Sequence, residues 1–192
     1  KIKSVGGCLV NLNYCSIYCL FSYMFYLCKN LEKIEEIEGM KPTVRGFLWH
    51  QGENDSSTSA ASQYKTNLEK LVGRVRTDYA SYAPEEDGNN IAFVDCYIYD
   101  KGDNDNDTMP SGSKLSDLKT LNSQKKAFSE ESDMNFVVNS SWQYDGGLKL
   151  QVQTESSGDV EGAIGQQHYH TKDMFILGQA YANIIVENGL LD

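Results

Sequence analysis

Two short segments of this chain gather side chains able to move protons or donate hydrogen bonds. The first is W-H-Q-G-E-N-D, Trp49 to Asp55, with an imidazole, two amides and two carboxylates in seven residues. The second is H-Y-H-T-K-D, His168 to Asp173, with two imidazoles just ahead of an amphipathic run. Imidazole exchanges a proton near neutral pH, and a neighbouring carboxylate can fix its tautomer, so the two segments together carry the parts of an acid–base site. Taken alone, Gln51 and Glu53 are polar residues of a surface loop, and the histidines are exposed residues near a helix start. Their surroundings in the sequence decide between these readings.

VRGFLW, Val44 to Trp49, is a short apolar run with β-branched and aromatic residues, which predicts a strand buried on both faces of a parallel sheet. Over 60–79, Tyr64, Leu68, Leu71, Val72 and Val75 recur at three- and four-residue spacing with Lys and Glu opposite, the pattern of an amphipathic helix. Pro84 and the EEDGNN cluster end it. A second buried strand is expected over Ile91 to Tyr99, a helix over Leu115 to Phe128 and a strand over Asn135 to Ser141. A closing helix is expected over Thr171 to Asn188, with Met174, Leu177, Tyr181, Ile184 and Ile185 facing inward. Strands alternating with helices at this spacing predict βαβ units and a parallel sheet covered on both faces. Sites in such folds lie at the carboxyl ends of the strands, which is where the loop after VRGFLW falls.

The rest of the chain excludes several functions. At 192 residues it has room for one ordinary domain, and a net charge of −10 argues against a phosphate-tracking surface, so no nucleic-acid partner is expected. Four cysteines (Cys8, Cys15, Cys19, Cys28) crowd the first thirty residues and Cys96 stands alone, which is neither a disulfide framework nor a zinc pattern. Asp103, Asp105 and Asp107 alternate as in a calcium loop, but no glycine sits at the sixth place and no glutamate closes the frame, so a solvated acidic loop is expected. Residues 1–40 are poorly patterned and read as lying outside the domain of 41–192. Their apolar stretch, Leu9 to Leu27, is interrupted by Asn11, Asn13, Ser16 and Ser22, so a membrane span is not expected either.

The Trp49 to Asp55 segment resembles the third conserved block of the SGNH hydrolases, in the WxQGExD form of the sialate O-acetylesterase and acetylxylan esterase branch. The resemblance implies that Gln51 donates to an oxyanion hole, where a preorganised N–H contributes about 3 kcal/mol, and that Gly52 lets the backbone turn tightly past the substrate. His168 to Ala182 resembles the fifth block, whose catalytic histidine precedes an LG pair by nine and ten residues. Counting back from Leu177 and Gly178 reaches His168 as the general base, which leaves His50 and His170 as exposed residues. The family places Asp three residues before that histidine, but Gly165 stands there. Glu53 is the favoured orienting acid, with Asp159 and Glu161 as the alternatives.

No GDS or GQSN block is present, and Ser4 lacks the context of a nucleophile. The segment S-V-G-G resembles the second block, which would make Gly7, or Gly6, an oxyanion donor and have the chain begin after the nucleophile. The resemblance therefore implies an SGNH or flavodoxin-like α/β/α sandwich, incomplete at its N-terminus, without metal or organic cofactor. The implied function is hydrolysis of an O-acetyl ester on a sugar or polysaccharide, impaired by the missing serine. The alternative is an inactive protein that keeps the sugar-facing cleft. Asn-x-Ser/Thr triplets at Asn54, Asn106 and Asn139 would be glycan acceptors in a secretory compartment.

Overall fold

The computed structural model describes residues 30–37, 39–56, 58–107, 113–152 and 169–191. The chain divides into two units, Lys1–Pro42 and Thr43–Asp192. In the first, residues 30–37 form a helix in which Leu31 and Ile34, one turn apart, are its half-buried positions and the remaining side chains are exposed.

The second unit is an α/β domain. Its strands β1 (Gly46–Leu48), β2 (Ala92–Cys96) and β3 (Asn135–Val138) form a parallel three-stranded sheet in the order β1-β2-β3. The register pairs Phe47 with Phe93 and Leu48 with Val94, then Asp95 with Val137 and Cys96 with Val138. Successive strand residues point to opposite faces, and the two cores follow that alternation. Phe93 joins Tyr64, Leu68 and Val72 of α1 (Thr58–Asp78) and Leu115, Leu118, Leu121 and Phe128 of α2 (Leu115–Ser129). Val94, Cys96 and Val138 join Leu177 and Tyr181 of α3 (Thr171–Glu187) on the other face, together with Leu150, Val152 and Tyr169. The sheet thus carries helices on both sides, the α/β arrangement expected from the periodicity.

The strands are shorter than the apolar runs that announced them, for an identifiable reason. The β1–β2 ladder extends through Ala92 N to Arg45 O and Trp49 N to Val94 O, both 2.9 Å, and then stops. Beyond Tyr97, whose N–H still donates to Val138 O at 3.2 Å, the chain stays buried but changes partner. Asn122 of α2 accepts from Ile98 N and donates to Ile98 O, each at 3.0 Å, so a side-chain amide stands in for the next ladder step. The expectation of a first strand buried on both faces is corrected. Leu48, which faces the α3 side, is 52% exposed, while Phe47 and Trp49 pack half-buried against the α1–α2 core. In the closing helix, Leu177 and Tyr181 face inward as expected and Ile184 packs beside them, whereas Met174 is 46% exposed.

Two features lock the sheet, Arg76 at the amino end of its strands and Asp100 at the carboxyl end. Arg76 of α1 ties the entries to β2 and β3 by donating to Ile91 O and Met134 O, each at 3.2 Å, and to Asn135 Oδ1 at 2.8 Å. Asp100, 1% exposed, accepts from Asn122 Nδ2 at 3.1 Å and from Ser141 Oγ and Trp142 N at 2.6 Å. The loops after β2 and β3 are therefore joined to α2 through one carboxylate. Among the triplet asparagines, Asn139 commits its amide to Asp145 O at 2.8 Å and its Ser141 is fully buried, whereas Asn106 sits in an exposed turn.

Cys96 is buried against Ser140 Oγ at 3.1 Å, and burial pushes its thiol up to about 12. A thiol that stays protonated is a poor nucleophile. Iodoacetamide at pH 8 is therefore expected to leave the Cys96 peptide unmodified in the folded chain and to alkylate it fully in denaturant, as read by peptide mass spectrometry.

Candidate active site

The loop Trp49 to Asp55 leaves the carboxyl end of β1, turns at Gly52 and closes with the single 3-10 turn Glu53–Asp55. Gly52 has φ +145°, a region that L side chains rarely enter, and it is buried. A Cβ there would stand 3.1 Å from Leu121 Cδ2 and 3.4 Å from Lys125 Cε. The glycine is required by the turn and by its seat on α2, which is a structural reason for it independent of any substrate. Gly52→Ala is expected to cost about 2 kcal/mol of stability from backbone strain and the Leu121 contact, measurable by urea denaturation.

Gln51 is held at three atoms. Its backbone carbonyl accepts from Tyr64 Oη and Lys125 Nζ, both at 2.7 Å. Its side-chain Oε1 accepts from Tyr64 Oη at 3.3 Å, and its Nε2 donates to Asp55 Oδ2 at 2.9 Å. A primary amide carries two N–H bonds, and Asp55 uses one of them to orient the group. Trp49 Nε1 reaches Tyr64 Oη at 3.2 Å, which gathers Trp49, Gln51 and α1 on one phenol. Burial pushes the Tyr64 hydroxyl far above its ordinary value, so it remains a donor at every physiological pH.

Glu53 and His50 face each other across the same turn, with Oε1 3.8 Å from Nε2 and both side chains about a quarter exposed, 24% and 27%. The His50 ring meets the Tyr169 ring edge-on at 5.6 Å. His50 is exposed, as expected, and its ring also forms a contact between the loop and the approach to α3. Tyr169 is fixed by a bridge to Val152, and His170 N donates to Gln151 O at 3.2 Å, before its carbonyl opens α3 by accepting from Met174 N at 2.9 Å. One turn past Leu177, Tyr181 Oη donates to Trp49 O at 2.6 Å. Two tyrosines from the C-terminal segment thus close on the loop that carries Gln51 and Glu53.

His168, the expected base, lies outside the described residues, as do Asp159, Glu161, Gly165, Ser4, Gly6 and Gly7. Gln51, Glu53, His50, Tyr169 and His170 are described, and of these the first four meet at the loop. Among the described residues, no group of three or more His, Cys, Asp or Glu side chains could hold a metal ion. No helix among them is long and apolar enough to cross a membrane.

Beneath the loop lies a buried ion pair that the sequence reading passed over. Lys125 Nζ is 2.7 Å from Asp95 Oδ1, with side-chain exposures of 0% and 3%, and it stands 5.0 Å from the Tyr64 ring centroid. Burial raises the Asp95 carboxyl above its ordinary value, opposed by the Lys125 ammonium and by the Cys96 N–H. Burial lowers Lys125, but the attraction and hydrogen bond of Asp95 together with Tyr64 and Cys96 outweigh it and hold the ammonium well above its usual range. A signal for the pair existed. Asp95 interrupts the apolar run I-A-F-V-D-C-Y-I-Y, and Lys125 falls seven residues after Leu118 and four after Leu121, on the apolar face of α2. A charge in each of two buried positions calls for a mutual partner.

No curated protein and no solved structure matches this chain. The family model described as carbohydrate esterase, sialic acid-specific acetylesterase matches residues 23–106, a stretch that includes β1, the Trp49 to Asp55 loop, α1 and β2. Through that stretch, with Gln51 and Glu53 inside it, the chain is similar to the sialic acid-specific acetylesterase family of carbohydrate esterases.

Proposed function

We propose that this chain is a carbohydrate O-acetylesterase domain that binds an acetylated sugar and stabilises an oxyanion, but whose acyl transfer is impaired because the sequence has no GDS or GQSN serine. In this reading the second N–H of the Gln51 amide points to the carbonyl oxygen of the acetyl group, where negative charge develops during attack. His168 is the general base that accepts the proton of the attacking hydroxyl and returns it to the leaving sugar alcohol. Glu53 orients His168 and stabilises its imidazolium, with Asp159 and Glu161 as the competing acids.

The observation that carries this reading is the docking of the C-terminal segment on the loop: Tyr169 against His50 and Tyr181 Oη on Trp49 O at 2.6 Å. Tyr169 directly follows His168 in the sequence, which supports the assignment of His168 as the base. The orientation of the Gln51 amide by Asp55 supports the same role, since a donor held in advance costs no reorganisation when charge appears.

The test is recognition rather than turnover. Saturation-transfer NMR with an O-acetylated sialic acid glycoside is expected to show the strongest transfer on the acetyl methyl, and little for the deacetylated sugar. Gln51→Ala and His168→Ala should each weaken it. Equal transfer to both sugars would argue against an acetyl-directed site.

A further inference from the structure

We infer that the buried Lys125–Asp95 pair is a positioning device for the oxyanion donor: Lys125 clamps the Gln51 carbonyl, and Asp95 holds Lys125 at that point. The inference deepens the proposed function and rests on its assignment of Gln51.

The geometry separates this role from ordinary core stabilisation. A buried ion pair is weak evidence for stability, because desolvating two charges offsets their attraction, and well-packed apolar replacements often do as well. What this pair does have is a third partner. Lys125 Nζ makes two bonds of 2.7 Å, one to Asp95 Oδ1 and one to Gln51 O, with no exposed surface on its side chain. The ammonium is therefore aimed at a single peptide of the catalytic-block loop. Asp95 is aimed in turn, since its Oδ1 also accepts from Cys96 N at 2.8 Å while Oδ2 has no hydrogen-bond partner among the described residues. An acid placed only to be satisfied would use both oxygens; this one concentrates its bonds on the side facing Lys125.

The clamp acts on the residue that matters. The Gln51 carbonyl and the Gly52 nitrogen share one rigid peptide plane. The +145° φ of Gly52 swings the chain from that plane down onto Lys125 Cε and Leu121. Fixing the plane fixes the direction in which the Gln51 side chain leaves the backbone. Tyr64 Oη adds a second grip on the same carbonyl and touches Gln51 Oε1. Lys125 is thus a positioning residue that acts through Gln51 and touches no substrate.

The experiment compares Lys125→Met with the double variant Asp95→Asn/Lys125→Met, using urea denaturation and the side-chain NH2 resonances of Gln51 in 15N–1H spectra. Neither readout needs substrate, so failure of the esterase reading and failure of this inference are distinguishable. Lys125→Met should lose much of the stability, because it leaves Asp95 buried alone, and the double variant should recover most of that loss. In both variants the two Gln51 NH2 protons should move from well-separated shifts toward the nearly coincident values of a mobile amide. Should Lys125→Met not fold, the double variant gives the same readout. Gln51 resonances that keep their native positions in the double variant would overturn the inference, and so would loss of folding in both variants, since the pair would then be a requirement of the fold.

Discussion

Purified and mixed with an aryl acetate, this chain is expected to hydrolyse it roughly 10⁶-fold more slowly than an intact serine esterase, the size of loss seen when a triad nucleophile is removed. The expectation follows from what the cleft has and lacks. In the proposed reading Gln51 stabilises an oxyanion and His168 moves a proton, but the sequence holds no serine in a GDS or GQSN context to form an acyl intermediate. Cys96 does not substitute for it, being fully buried with its thiol pushed up to about 12. An oxyanion hole with binding alone leaves a residual acceleration of about 10³ to 10⁴ over water. That residual should therefore be measurable and should fall by about 10²-fold in Gln51→Ala. Turnover comparable to an intact esterase, abolished by His168→Ala, would show that a nucleophile is present after all.

Asp100→Ala is expected to damage the fold strongly where the loops after β2 and β3 meet α2. Its carboxylate is 1% exposed and serves donors from two elements: Asn122 Nδ2 on α2, and Ser141 Oγ and Trp142 N after β3. Alanine removes all three acceptor contacts and leaves the donors buried. Each orphaned buried donor costs about 1 to 3 kcal/mol, with less than full additivity, so a loss of about 4 kcal/mol is expected. Against a total stability of about 5 to 15 kcal/mol, that should shift the urea midpoint strongly. Because Asn122 also pairs both backbone groups of Ile98, hydrogen exchange at Ile98 should accelerate in the same variant. A change within about 0.5 kcal/mol would mean that the loops after β2 and β3 are joined by something other than this carboxylate.

How much of this was legible in the sequence depended on the kind of signal. Helices announced themselves by period: Tyr64, Leu68, Val72 and Val75 on α1 and Leu177 and Tyr181 on α3 are buried as their spacing requires. Strand lengths were not legible, because Ile98 is as buried as the residues before it while its backbone partners come from a side chain on α2. Apolarity reports burial and cannot tell which group takes the hydrogen bond. Exposure of Leu48 was equally hidden, since a strand covered on one face and one covered on both can carry the same three residues. The loop itself was found because Q-G-E follows a strand, yet its support was missed. Lys125 and Asp95 were passed over singly, and only their pairing across 30 residues gives them meaning. His50 was undervalued for the same reason, its partner Tyr169 being far away in the chain.

The central claim is that the amide of Gln51 and the imidazole of His168 share one pocket, and a nuclear Overhauser measurement on histidine-ring-labelled protein tests it most directly. The account predicts a cross-peak between the His168 ring protons and the Gln51 NH2 group, alongside one from His50 to Tyr169 as internal reference. A spectrum showing the His50–Tyr169 peak, with the His168 ring reporting only contacts to residues away from the Trp49 to Asp55 loop, would contradict it.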